Sequence, residues 1–359
     1  MVYIHVPFCK SFCIYCDFYS EIAGDGGMFE PYTTAVCEEI KRRAGEIDDS
    51  LKTLYFGGGT PSVLPLASLT RILLTLEDCG HGGPYTEFTL EVNPEDIVEK
   101  GLPYVQSLKA LGVNRVSIGV QSFDDELLRW MNRRHNAERA EEAFRIVREA
   151  GIDNISLDLI FGLSNLSDKV WEETVDKAIG LGPEHISCYQ LTVEGDNVLA
   201  HRLETGEYEE ASEETCRGQY KLLCQKLADA GYRHYEISNF AKPDFEALHN
   251  GGYWRRCPYV GFGPAAHSFS GRGRSWNTPE ISGYTHTEEA LSVEDEKVET
   301  LMLSLRTARG VDTDFLHGNC KEEDIERLVK AGALQKDGRR YRIPEDHFFV
   351  SDDIIRELI

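Results

Sequence analysis

No apolar run in the 359 residues approaches the roughly 18 needed to span a bilayer as a helix, so the chain does not read as an integral membrane protein. It shows neither the basic n-region and apolar h-region of a secretory signal nor a transit-peptide pattern, since Met1 leads directly into a strand-like run. A reducing, cytoplasmic setting is therefore expected, and the ten cysteines are not read as a disulfide framework. Basic residues are scarce: 38 Lys plus Arg stand against 61 Asp plus Glu, a formal net charge of −23. Such a surface repels phosphate backbones, which makes nucleic acid a poor partner. The run Gly57-Gly58-Gly59-Thr60-Pro61 lacks both the Lys and Ser/Thr of a P-loop and the spacing G-x-G-x-x-G, so neither a nucleoside triphosphate nor NAD is favoured.

What is present is concentrated first near the N-terminus. Cys9, Cys13 and Cys16 follow a short apolar run, Tyr3 to Val6, that reads as a buried strand stopped by Pro7. Three thiolates in eight residues can converge on one iron-sulfur cube if the backbone wraps around it. Three ligands leave one iron open, and an open iron can chelate the amino and carboxylate groups of a small molecule. The competing reading is a structural zinc site, which wants four ligands in paired spacing. The other seven cysteines are scattered and form no second pair; His5 is a candidate fourth ligand or simply a packed residue.

Strand-like runs starting near positions 3, 53, 87, 115, 154 and 185 alternate with helical patterns, which predicts a parallel sheet with right-handed crossovers. Six such units suggest an α/β fold, an open partial (β/α)6 barrel. Each run ends in a polar group: the cysteines, the glycine turn, Glu91, Gln121 and Asp158. In barrel-like sheets the carboxyl ends of the strands share one rim, so these residues are expected to meet. Taken singly, each reads better as a turn or helix-cap residue; it is the five together, opposite the cysteine loop, that point to a site.

Further on, an acidic, loop-like stretch spans 194–210, a helix follows over 212–230 and a strand over 235–240. His249-Asn250-Gly-Gly-Tyr253-Trp254 then places an imidazole beside aromatic faces and two glycines, which suits a flat macrocycle holding iron. From these residues alone, a buried His-Asn pair satisfying loop carbonyls among packed aromatics is the better reading. His267 is a second candidate ligand. The tail has helices over 294–305 and 322–331 and a short strand over 340–343, a winged-helix-like pattern whose acidic helix (Glu322, Glu323, Asp324, Glu326) is unsuited to phosphate. The expected division is 1–235 barrel, 236–290 connecting region and 291–359 C-terminal module, with no Pro-, Gly- or Ser-rich linker before the last.

The spacing Cys-x3-Cys-x2-Cys with Tyr15 before its last cysteine resembles the radical S-adenosylmethionine (SAM) superfamily. The run Tyr-Ile-His-Val-Pro-Phe-Cys resembles its branch of oxygen-independent coproporphyrinogen oxidases and haem chaperones, and the likeness extends along the whole chain. It implies a [4Fe-4S] cluster on Cys9, Cys13 and Cys16. It also implies SAM contacts from Tyr3, Tyr15, Gly58, Gly59, Thr60, Glu91, Gln121, Arg133 and Asp158. Arg133 is chosen over its neighbour Arg134 on the alignment of Asn132-Arg133 alone. The family pattern Gly-Leu-Pro is Gly162-Leu163-Ser164 here, where a looser turn is expected. Phe18 stands where the oxidase branch has a further cysteine. The run from His249 to Trp254 resembles the His-Asn-x-x-Tyr-Trp motif of HemW haem chaperones, implying haem held at His249, Asn250, Tyr253 and Trp254. The expected function is delivery of haem to apoproteins, membrane-bound respiratory enzymes among them, with a homodimer left open. The alternative is oxidative decarboxylation of coproporphyrinogen III through a 5′-deoxyadenosyl radical.

Overall fold

The computed structural model describes all 359 residues. Six parallel strands, Val2–Val6, Thr53–Gly58, Glu87–Val92, Arg115–Gln121, Asn154–Phe161 and His185–Gln190, lie side by side in chain order. Val260–Phe262 adds a parallel strand beside the first, and an antiparallel hairpin, Arg233–Glu236 with Asn239–Ala241, closes the other edge. The sheet thus has nine strands and is curved into a partial barrel with helices outside.

Alternation along the strands sorts the side chains. Leu54 and Phe56, Phe88 and Leu90, Val116 and Ile118, and Leu157 and Leu159 face the helices within one core cluster of 67 buried residues. Burying each such side chain contributes roughly 1.5–3 kcal/mol. The opposite face carries Tyr3, Tyr55, Glu91, Arg115, Ser117 and Asp158, so the barrel lumen is polar. Helices begin where a short polar side chain caps them: Asn93 Oδ1 accepts from Glu95 N at 3.0 Å, while Glu91, two residues earlier, points into the lumen. The strand end thus serves the cap and the rim with different residues.

Three expectations change. The stretch 235–240 is a hairpin and not one strand, turning at Ile237 and Ser238. The acidic stretch 194–210 contains a helix, Val198–Glu204, capped by Asn197, whose Leu199 packs with Tyr208 against Ile14 of the cysteine loop. The turn after Asp158 is held and not loose: Gly162 (φ 78°) donates to Gln219 Oε1 at 3.0 Å, and Leu163 is buried.

The last segment forms helices Val293–Leu305, Thr313–Asn319 and Glu322–Lys330 with a three-stranded sheet of Val311–Asp312, Gln335–Asp337 and Arg340–Arg342. It docks on the barrel through main-chain bonds from Ile237 to Arg306 (2.9 Å) and from Ala308 to Tyr235 (3.0 Å), with Phe348 edge-on to His234.

Candidate functional site

The cysteine loop is stitched to the glycine turn. Gly59 N donates to Val6 O (2.8 Å) and Thr60 N to Phe8 O (2.7 Å), while Cys9 Sγ lies 3.4 Å from Thr60 Oγ1. These contacts require glycine: a Cβ on Gly58 (φ 108°) would lie 2.6 Å from the His5 ring, and one on Gly59 2.9 Å from Phe8 O. His5 is in turn held by Tyr3 OH at Nδ1 (3.1 Å) and by Tyr19 O at Nε2 (3.0 Å), so it is a support of the loop and not a free ligand.

The three cysteines are reduced and half-buried. Burial raises the Cys9 thiol and pushes Cys16 up to about 11, so binding iron requires proton release. Arg133 Nη1 donates to Cys13 Sγ at 3.3 Å, which ties the cysteine loop to the strand end at Gly119 that Arg133 also reaches. No three His, Cys, Asp or Glu side chains converge as ligands of a single ion. Thiols that each take a separate iron of a cube need to surround it, not to meet at a point. The donor set therefore fits a cluster better than zinc.

Below the loop, the lumen brings together most of the remaining rim residues. Tyr55 OH donates to Glu91 Oε1 (2.6 Å), and burial pushes the Glu91 carboxyl up to about 7, with the charge of Asp158 adding to the shift. Asp158 accepts from Ser117 Oγ (3.0 Å to each oxygen) and is likewise raised by burial. Gln121 adopts φ 66°, a left-handed conformation unusual for a residue with a side chain, at a register break in its strand. Arg133 reaches Gly119 O and Cys13, and its Nε has no protein partner; Arg134 instead pairs with the buried Asp96 (2.9 Å). Of the two adjacent arginines, Arg133 is the one that faces the cysteine loop.

The His-Asn-x-x-Tyr-Trp residues lie elsewhere. They form a helix, Leu248–Trp254, at the other end of the barrel, where Glu87, the first residue of its strand, accepts from Leu248 N (2.7 Å) and His249 N (2.9 Å). His249 is fully buried. Its Nδ1 is 2.8 Å from Thr53 Oγ1, its Nε2 is 2.8 Å from Tyr253 OH, and its ring packs on Tyr55 with centroids 5.1 Å apart. Burial pushes its pKa down to about 3, so it is a neutral imidazole with both nitrogens engaged. As folded here it is the satisfied, packed histidine of the alternative reading, and a metal could reach it only after Tyr253 or Thr53 lets go. Asn250 and Trp254 are half-buried, and Trp254 lines a cleft toward the C-terminal module. His267 is exposed and stacks on Trp276, centroids 6.2 Å apart. Sequence reasoning missed Tyr55, Thr53 and Glu87; the alternation that exposes Glu91 to the lumen also points Tyr55 and Glu87 there.

The Radical SAM superfamily pattern matches residues 3–178. Among curated relatives, the haem chaperone HemW of Synechocystis is 36% identical over 86% of this chain and 78% of its own length. HemW of Lactococcus lactis is 30% identical over 99% and 96%. In fold, the Escherichia coli coproporphyrinogen III oxidase HemN, described as a radical SAM enzyme, matches with a TM-score of 0.83 at 22% identity, covering 99% of this chain and 89% of that one. Identity of 30–36% over 86–99% of this chain and 78–96% of these relatives, on the fold just described, means that the chain belongs to the HemW haem chaperone family of the radical SAM superfamily.

Proposed function

We propose that this protein is a haem carrier that takes up haem at the Leu248–Trp254 helix and releases it to haem-requiring apoproteins, including membrane-bound respiratory enzymes. In the same reading, Cys9, Cys13 and Cys16 hold a [4Fe-4S] cluster. Tyr3, Tyr15, Gly58, Gly59, Thr60, Glu91, Gln121, Arg133 and Asp158 hold SAM beside it. When bound, the cluster supplies an open iron that chelates the amino and carboxylate groups of SAM, and electrons for reductive chemistry. The chain's own contribution is placement: glycine backbone at close approach, Arg133 against Cys13, and a lumen whose burial raises the Glu91 carboxyl to about 7.

What supports the haem assignment is the similarity to the HemW haem chaperones along most of the chain, and the contact between His249 and Tyr253, one helical turn apart, makes two residues of the motif one physical unit. Haem ligation exchanges the Tyr253 hydroxyl for iron at the imidazole lone pair, so capture is gated by a local opening and release is favoured by its reversal. Phe18, at the position of the oxidase branch's additional cysteine, is 70% exposed and offers no ligand there. Anaerobic reconstitution with iron and sulfide followed by haem titration tests the proposal. A Soret band that depends on His249, without consumption of coproporphyrinogen, is expected; equal haem uptake by His249→Ala, or turnover of porphyrinogen without stable haem binding, would sink it.

A further inference from the structure

The Leu248–Trp254 helix has a second working face. His249 and Tyr253 point into the barrel floor, whereas Leu248, Gly251, Trp254 and Arg255 line a cleft of about 340 Å³ against the C-terminal module. Trp254 and Phe315 give it apolar walls. Four guanidinium groups border it, those of Arg255, Arg256, Arg309 and Arg340, against the two carboxylates of Glu246 and Asp312. In a chain with a net charge of −23 this local excess of positive charge runs against the average.

The arginines also differ in how they are occupied. Arg256 is paired with Glu299, which lies outside the cleft. Arg340 donates only to Gly310 O (2.9 Å), and Asp312 is engaged in capping Asp314 N (3.0 Å). Arg255 and Arg309 are exposed and have no acidic partner, although the chain carries 61 Asp and Glu. A planar guanidinium recognises carboxylate in a two-point geometry, and two or three of them around an aromatic-walled cleft recognise a flat apolar body bearing two carboxylates.

We propose that this cleft, built jointly by the motif helix and the C-terminal module, binds the dicarboxylate edge of a porphyrin, with Arg255, Arg309 and Arg340 as the carboxylate anchors. The assignment rests on the haem-carrier reading and extends it: the cleft lies on the face of the helix turned away from His249, so a porphyrin held there by its carboxylates is docked apart from the iron ligand and not yet ligated by it. It gives the C-terminal module a role in ligand binding that its acidic outer helix does not suggest. Because the anchors act on carboxylates, the cleft should bind the ring whether or not iron is present.

Metal-free protoporphyrin IX and its dimethyl ester, titrated by fluorescence into the full-length protein, separate the two ideas. The diacid is expected to bind about tenfold or more tightly than the diester, since charge-assisted bonds to each carboxylate are lost on esterification. Arg255→Ala combined with Arg309→Ala should weaken the diacid about tenfold, leave the diester unchanged, and so abolish the discrimination. The comparison of ligands on the unaltered protein needs no variant to fold. Equal binding of diacid and diester, or a double variant indistinguishable from the unaltered protein, overturns the cleft assignment even where haem still gives a His249-dependent Soret band. Arginine-dependent binding of the diacid without that band supports the cleft and counts against His249 as the iron ligand.

Discussion

The two ends of the barrel are built on opposite terms. At the rim after the strand ends, donors are held in place without being used up: three reduced cysteines, an Arg133 with an unpartnered Nε, and glycines whose missing side chains leave room. At the floor, where the strands begin, the polar groups around the motif helix are spent on one another. His249 is held at both nitrogens, and Glu87 takes two main-chain amides. Under the proposed function the rim needs only to fill, whereas the floor must open before His249 can take iron. The cost of that opening lowers affinity at the floor, as the proposed release of haem requires.

The largest expected break in this contrast is at the rim. Cys13→Ala removes one of the three proposed cluster ligands and one partner of Arg133, and iron content and visible absorbance after reconstitution should fall to background while the floor keeps its fold. Next is Glu87→Ala: two charge-assisted bonds to a buried helix start are lost, and denaturant unfolding should show a loss of about 2–4 kcal/mol. A variant as stable as the unaltered protein would show that the helix needs no such anchor.

Acid titration sets the ends against each other. Glu91 has a folded pKa of about 7 against 4.5 for the free group, so the folded state binds the extra proton and stability falls as pH rises from about 4.5 to 7. His249, at about 3 against 6.5, binds fewer protons when folded, so its contribution is complete above about 6.5 and is lost as pH falls toward 3. Glu91→Gln should therefore make the stability profile rise more steeply with pH between 4.5 and 6.5, and His249→Gln should make it fall there. Urea unfolding at stepped pH measures both, and parallel profiles for the two variants would contradict the assignment. The smallest expected effect is Tyr253→Phe, which frees His249 Nε2 at a cost of about 1 kcal/mol. Stopped-flow haem binding should become faster, while unchanged kinetics would mean that the hydroxyl is no gate.

Much of the rim was legible because a strand end, a glycine turn and closely spaced cysteines are local signals. The choice between Arg133 and Arg134 was not, since both are cations one residue apart; packing sends Arg134 to Asp96 and leaves Arg133 for Cys13. The hairpin after Arg233 was hidden because Tyr235 to Phe240 carries a mixed apolar pattern, and only the partner strand at His185–Gln190 defines its turn. The helix at Val198–Glu204 is short and acidic on its flanks, so it exists by virtue of Leu199 packing on Ile14.

The sequence by itself determined the barrel, the three cysteines and the motif around His249, because periodicity and spacing act over a few residues. Only the tertiary structure decided that His249 lies at the opposite end from the cysteines, with its nitrogens taken by Thr53 and Tyr253. It also decided that arginines from two separate segments share one cleft. Such facts depend on which strand ends and helix faces the fold brings together across hundreds of residues, and no local pattern encodes that distance.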